Sequence, residues 1–210
     1  MTERHGVKVD GFDQPELSDT AVREFAAAVD RMLTDYSAIT LDVVAVAGLS
    51  DATSIVQWNC ESRGTPAKMR SITLDQQVAH DPDCAVVAKV AIEQGNAESD
   101  HRAIYAETVR ELGLALDSAG EGIVGRNAQR ILIAEYLRSV AGRYTTLGEL
   151  ARGYRDWRAG LIGTAGDTVG FDPRRALRAA FAEVVMHGDQ ACMPAKTLHG
   201  ALVDAASGRM

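Results

Sequence analysis

The stretch Ile104–Asp117 reads I-Y-A-E-T-V-R-E-L-G-L-A-L-D, and its interpretation decides how the rest of the chain is read. Apolar side chains recur in it at three- and four-residue spacings, which predicts a helix over residues 101–118. The chain has 210 residues, of which 46% are hydrophobic. Such a chain is long enough to bury a core and fits one domain.

The segments before this helix favour a small β-sheet. Short β-rich runs at residues 40–47, 53–58 and 70–75 are separated by turn-forming residues. A helix is predicted over residues 19–36, where apolar side chains recur at helical spacing after a capping aspartate. Residues 1–17 contain glycines and a proline but no apolar period, so we expect an N-terminal arm there and a single domain over residues 18–210.

After residue 83 the pattern becomes helical almost to the end of the chain. The sequence predicts these helices by residue number: 84–94, 101–118, 126–142, 146–159, 173–187 and 195–206. The expected fold class is therefore α+β, with a small N-terminal β-sheet followed by a mostly helical region.

The chemistry of residues 104–117 depends on two missing histidines. A helix that binds zinc for peptide hydrolysis carries H-E-x-x-H, because both imidazoles must reach one Zn²⁺ while the glutamate acts as general base. Here the corresponding positions are Arg110, Glu111 and Leu114. Neither an arginine nor a leucine offers a lone pair to a metal. Glu111 is thus left as a vestigial general base.

Three stretches together resemble zincin-like metallopeptidase domains of actinobacterial and phage-encoded toxins. They are S-I-T-L-D at residues 71–75, the helix at 104–117, and D-P-R-R-A-L-R-A-A-F-A-E-V at 172–184. The resemblance implies a zincin-like fold in which the two histidines correspond to Arg110 and Leu114. It also implies that a later helix supplies a third ligand, at the position of Ala179. A shift of four residues would place Glu183 there instead.

The resemblance therefore implies a catalytically inactive zincin-like domain without metal or other cofactor. We expect it to act as a structural or protein-binding module that is encoded by a phage or other mobile element and forms part of a virion. The alternative is an active metal-dependent peptidase or hydrolase with Glu111 as base. Its non-standard metal site would be assembled from residues near the C-terminus, namely His187, Cys192 or His199.

Two further expectations concern the replaced site. Arg110 is predicted either to pair with Glu107 on its own helix or to reach Glu183 on the later helix in place of the metal. The resemblance also implies a peptide-binding edge strand, because an edge strand accepts a partner strand through main-chain hydrogen bonds. That strand is formed by Ser71, Ile72, Thr73, Leu74 and Asp75.

Other features of the sequence narrow the choice of partner. Residues 126–178 contain ten arginines against five acidic residues, which leaves a third hypothesis of an adaptor for an acidic partner. Aromatic residues make up 5% of the chain without a stacking pattern, so nucleic acid is not expected. No signal peptide or run of 18 apolar residues is found, and we expect a cytoplasmic or virion-associated protein without membrane contact.

Two motifs are interpreted as structural. Residues 120–125 match G-x-G-x-x-G, but they follow a helix rather than a strand. We therefore expect a turn between two helices, not a dinucleotide site. The three cysteines, Cys60, Cys84 and Cys192, are odd in number and lack metal-site spacing, so we expect inert free thiols.

Overall fold

The computed structural model describes residues 2–49, 54–62, 68–84, 102–142, 146–161 and 170–208. The chain forms two compact units, residues 1–115 and 116–210. The first unit contains a four-stranded mixed sheet, and the described part of the second contains only helices. The α+β class with the sheet in the N-terminal part is thus confirmed.

The strands of the first unit are β1 (Lys8–Asp10), β2 (Val43–Ala47), β3 (Val56–Ser62) and β4 (Lys68–Asp75). Their order in the sheet is β1-β2-β4-β3. β2 is parallel to both β1 and β4, whereas β3 is antiparallel to β4. Three of the strands were predicted. The fourth, β1, belongs to the segment that the sequence assigns to an N-terminal arm.

The peptide-binding edge strand predicted at residues 71–75 is wrong. Ser71 lies opposite Val43 on β2 and opposite Asn59 on β3, and the pairing continues on both sides through Leu74. Because β4 pairs with β2 on one side and with β3 on the other, residues 71–75 form a central strand whose main-chain groups are already used. Within the described part of the chain, the edge strands of the sheet are β1 and β3.

The helices of the first unit are α1 (Thr2–His5), α2 (Asp19–Asp35), α3 (Gln76–His80) and most of α4 (Ala103–Ala119). α2 begins where the Ser18 side chain accepts the N–H of Ala21. Its buried face comprises Ala21, Phe25, Ala28, Val29 and Met32, which matches the predicted period. Asp75 ends β4 and caps α3 by accepting the N–H groups of Gln77 and Val78. The helix predicted at 84–94 lies outside the described residues except for Cys84.

The second unit contains the end of α4 followed by α5 (Ile123–Ser139), α6 (Leu147–Ala159), α7 (Pro173–His187) and α8 (Met193–Ala206). α5 contacts α6, α7 and α8, and α7 contacts α8. Helix starts are set by local chemistry, because Thr146 and Glu149 form a capping box on α6 and Asp172 caps α7 ahead of Pro173. The core side chains of this unit include Leu132, Leu161, Leu177, Phe181 and Leu198.

Candidate functional site

The helix α4 carries three buried polar side chains on two consecutive turns. As whole residues, Glu107, Thr108 and Glu111 are 5%, 0% and 6% exposed. The Thr108 hydroxyl donates to the carbonyl oxygen of Ile104 at 2.7 Å, inside the same helix. Burying a carboxylate is unfavourable unless it is hydrogen-bonded or paired, so the partners of the two glutamates indicate what this part of the helix does.

Glu111 is bound to the outer edge of the sheet. The main-chain N–H of Trp58 donates to Oε2 of Glu111 at 2.9 Å. Trp58 lies opposite Ile72 in the β3–β4 pair. Because the Trp58 N–H donates to Glu111, this N–H points away from β4, toward the side of β3 where the sheet ends. The carboxylate at the predicted general-base position thus covers the edge of β3 at Trp58.

Arg110 pairs with the neighbouring turn of its own helix. Its Nη1 lies 3.8 Å from Oε2 of Glu107, and the two side chains are 12% and 7% exposed. This is the local pair that the spacing of three residues predicts. Glu183 belongs to the second unit, where its Oε2 lies 3.2 Å from Nδ1 of His187. The proposed pair between Arg110 and Glu183 stays a prediction.

The other two positions that the resemblance assigns to metal ligands hold buried hydrocarbon. Leu114 on α4 is 6% exposed, and Ala179 on α7 is 7% exposed. Neither side chain can coordinate a metal ion. No group of three or more His, Cys, Asp or Glu side chains suited to a metal ion occurs among the residues that the structure describes.

The C-terminal residues of the alternative metal site have different neighbours. His187 faces Glu183, while the ring of His199 stacks on Phe181 with centroids 5.6 Å apart. Burial lowers the pKa of His199, which favours its neutral form. Burial also raises the pKa of the Cys192 thiol, which makes it a poorer nucleophile and ligand. All three cysteines are free thiols of intermediate exposure.

The G-x-G-x-x-G segment forms the predicted turn between two helices. α4 ends at Ala119, and Gly122, with φ of 68°, is the N-cap of α5. Oδ1 of Asp117 accepts the N–H of Gly125 at 3.0 Å, in the first turn of α5. A carboxylate of the chain itself therefore occupies the helix N-terminus that would bind a phosphate in a dinucleotide site.

Several arginines of the 126–178 stretch have partners within the second unit. Arg138 pairs with Glu135, and Arg126 donates to the carbonyl oxygen of Glu121 at 2.8 Å. The guanidinium of Arg158 lies 5.6 Å from the ring centre of Tyr154 and 5.3 Å from that of Phe171. These arginines contribute to local packing as well as to surface charge.

Sequence reasoning found Glu111 but missed both residues that explain the site. Trp58 lies 53 positions before Glu111 in the chain. Nothing in the β-rich run that contains Trp58 indicates that its N–H donates to a glutamate. In the sequence, Asp117 is marked only as the last residue of the stretch that carries the resemblance. Asp117 lies inside α4, five residues before the N-cap Gly122, so the usual N-cap signal does not mark it.

No family model, no curated protein and no solved structure matches this chain.

None of the described helices is both long enough and apolar enough to cross a membrane.

Proposed function

We propose that the chain is a zincin-like domain that has lost its catalytic metal and acts as a structural or protein-binding module. The observation that carries the proposal is the use of Glu111. A general base needs a carboxylate that can reach a substrate or a metal-bound water. Glu111 is 6% exposed and accepts a main-chain hydrogen bond from Trp58 instead.

The residues beside Glu111 support the same proposal. A zinc site needs three protein ligands around an open position. Of the positions that correspond to ligands, one holds an arginine engaged with Glu107, and two hold the buried side chains of Leu114 and Ala179. None of these three side chains offers a ligand atom to a zinc ion.

Exposed apolar side chains on the second unit support a binding role. Ile133 and Leu137 lie one turn apart on α5 and are 37% and 44% exposed, and Leu147 at the start of α6 is 84% exposed. Contiguous exposed apolar surface is typical of sites that contact other proteins, and we infer that Ile133 and Leu137 contribute to such a site. The virion setting implied by the resemblance belongs to this proposal, and proteomic analysis of purified phage particles would test it.

Metal content and stability test the loss of the metal site. We expect untagged protein to contain less than about a tenth of an equivalent of zinc and to melt at the same temperature with and without chelator. Stoichiometric zinc together with a lower melting temperature in chelator would overturn the proposal and favour the active hydrolase.

A peptidase assay with a matched variant tests the role of Glu111. Glu111→Gln keeps an oxygen that can accept the Trp58 N–H but removes the base. We expect wild type and Glu111→Gln to show the same background rate on an unfolded protein substrate, with or without added zinc. A zinc-dependent rate that Glu111→Gln abolishes would show that the carboxylate still acts as a base.

A further inference from the structure

The outward side of α5 forms one continuous exposed surface along most of the helix, here called the α5 face. All residues of α5 are described, and its exposed positions between residues 126 and 138 recur at spacings of three and four. Residues at such spacings are neighbours on a helix surface, so their side chains lie on one side of α5. The α5 face consists of Arg126, Gln129, Arg130, Ile133, Ala134, Leu137 and Arg138.

The opposite side of α5 fixes the direction in which this face points. Its buried side chains recur every four residues and are Val124, Ala128, Leu132 and Tyr136. The ring of Tyr136 lies against those of Tyr154 and Trp157 on α6, with centroids 5.5 and 5.6 Å apart. α5 also contacts α7 and α8. The helix therefore cannot turn the exposed side chains inward without losing this packing.

The spacing of the exposed residues suits contact with another helix. When two helices pack, a side chain of one enters a hole between four side chains of the other, which are neighbours at positions i, i+3, i+4 and i+7. One such set, exposed at every position, consists of Arg130, Ile133, Ala134 and Leu137. A second set begins one turn earlier at Arg126. Ala134 is the smallest residue of the first set, which leaves room for the entering side chain.

The charge of the α5 face favours an acidic partner. The face carries Arg126, Arg130 and Arg138, and no acidic residue of the fully described helix α5 belongs to it. Arg138 pairs with the neighbouring Glu135, and Arg126 donates to the carbonyl oxygen of Glu121. A guanidinium has five N–H donors, so both arginines keep donors for a further carboxylate. Arginine binds carboxylates in a two-pronged geometry that adds specificity to the charge.

We propose that the α5 face is the docking site for an acidic amphipathic helix of a partner protein. Ile133 and Leu137 contact the apolar side of that helix, and the arginines of the face bind its flanking Asp and Glu side chains. A membrane surface fits less well, because a membrane-bound helix inserts a broad apolar side and this face offers two large aliphatic side chains. The docking site rests on the proposed function, since it names the partner of the binding module.

Binding of matched helical peptides to the full chain tests the site. The probe is a labelled, stapled helix with leucines at the a and d positions of two heptads and glutamates beside them. In the matched control, lysines replace the glutamates. We expect the glutamate peptide to bind with a Kd below about 0.1 mM and the lysine peptide not to bind at about 1 mM. Binding should weaken as salt rises from about 0.05 M to about 0.5 M. Fluorescence anisotropy measures both peptides.

Variants of exposed residues locate the binding on the protein. Arg130→Glu should weaken it about five- to tenfold through charge reversal, whereas Arg23→Glu changes the net charge equally on α2 and should have no effect. Leu137→Ser should weaken binding about fivefold or more. Met193→Ser removes an exposed apolar side chain from α8 and should behave as wild type. All four proteins should keep the wild-type melting temperature to within a few degrees, because the residues are exposed.

Several results would contradict the docking site. If the glutamate peptide does not bind at about 1 mM, or binds Leu137→Ser as tightly as wild type, the α5 face is not its site. Equal binding of a peptide whose leucines are replaced by alanine would show that the arginines attract any acidic chain. Binding to phosphatidylserine vesicles that Leu137→Ser abolishes, without peptide binding, would identify a membrane surface instead. The zinc content of the protein is a separate readout, so these failures are distinguishable from a failure of the proposed loss of the metal site.

Discussion

The carboxylate of Glu111 accepts the main-chain N–H of Trp58 at 2.9 Å, which joins a buried helix to the outer edge of the sheet. An unpaired strand edge invites pairing with other chains, and proteins cover such edges in several ways. At Trp58 the edge is covered by a side chain from α4. Because the carboxylate is 6% exposed, it depends on hydrogen bonds of this kind to remain buried.

Removal of the Glu111 carboxylate should destabilise the protein more than its neutralisation. Glu111→Ala leaves the Trp58 N–H without this acceptor, and we expect a loss of about 1 to 3 kcal/mol in the free energy of unfolding. Glu111→Gln offers an amide oxygen in the same place and should lose less. Urea unfolding of the three proteins at pH 7 measures the difference. Equal losses for the two variants would show that the hydrogen bond to Trp58 contributes little.

Most helices and three of the strands could be predicted because their signals are local. Thr146 and Asp172 cap helices at the predicted starts, whereas α2 is capped by Ser18, one residue before the predicted cap Asp19. Apolar periods continue from all three caps. The strand order could not be predicted in this way. Residues 71–75 look the same in sequence whether they lie at an edge or in the centre, and β1 is only three residues long with all side chains exposed.

The candidate site could be predicted only at the positions that a helix motif marks. Arg110, Glu111 and Leu114 were identified by their spacing, and the pairing of Arg110 with Glu107 followed from a separation of three residues. The hydrogen bond between Trp58 and Glu111 depends on how α4 packs against the sheet. The spacing of residues within α4 does not predict that packing. The family resemblance and the inactive role remain predictions.

Gly125 should be intolerant of a side chain because of its contact with Asp117. A Cβ at Gly125 would lie 2.6 Å from Oδ2 of Asp117, whose other oxygen binds the Gly125 N–H. We expect Gly125→Ala to cost about 1 to 3 kcal/mol in the free energy of unfolding, as overpacking does. Gly148→Ala is the matched control, since no atom lies within 4 Å of a Cβ there.

A double-mutant cycle separates the contact from the helix propensity. In the Asp117→Ala background the carboxylate is gone, so Gly125→Ala should become neutral or stabilising, as alanine is in a helix interior. Chemical unfolding of the four proteins gives the coupling energy. If Gly125→Ala lowers the free energy of unfolding by the same amount in both backgrounds, the contact with Asp117 does not explain why residue 125 is a glycine.

Gly11 should tolerate substitution less well than Gly6, although both have positive φ. Their φ angles are +76° and +68°, and at Gly6 no atom lies within 4 Å of a Cβ. Gly6→Ala should therefore lower the free energy of unfolding by about 1 to 2 kcal/mol, because alanine is disfavoured in the left-handed conformation. Gly11→Ala adds a clash with the Val46 carbonyl oxygen at 2.1 Å and should cost clearly more. Thermal melts of both variants test the order, and equal shifts would argue against the close approach.

Asp42 should stabilise the fold at neutral pH and lose this contribution in acid. Hydrogen bonds from the Arg70 side chain and main chain hold the pKa of Asp42 below its ordinary value. The contribution is present above the unfolded-state pKa, about 4, and is lost as the pH falls through the folded-state pKa. The difference in unfolding free energy between wild type and Asp42→Asn should therefore shrink from pH 6 to pH 3. A constant difference would contradict this.

Asp117 should show the opposite pH dependence. Burial raises its pKa above the ordinary value, although the N–H groups of Gly125 and Val124 act against this shift. A carboxyl group with a raised folded-state pKa contributes most stability below its unfolded-state pKa and loses it as the pH rises through the folded-state pKa. Relative to Asp117→Asn, wild type should thus become less stable from about pH 4 upward. Urea unfolding of both proteins between pH 4 and pH 7 tests this direction. If the unfolding free energy of wild type instead rises relative to that of Asp117→Asn with increasing pH, the two hydrogen bonds affect the pKa of Asp117 more than burial does.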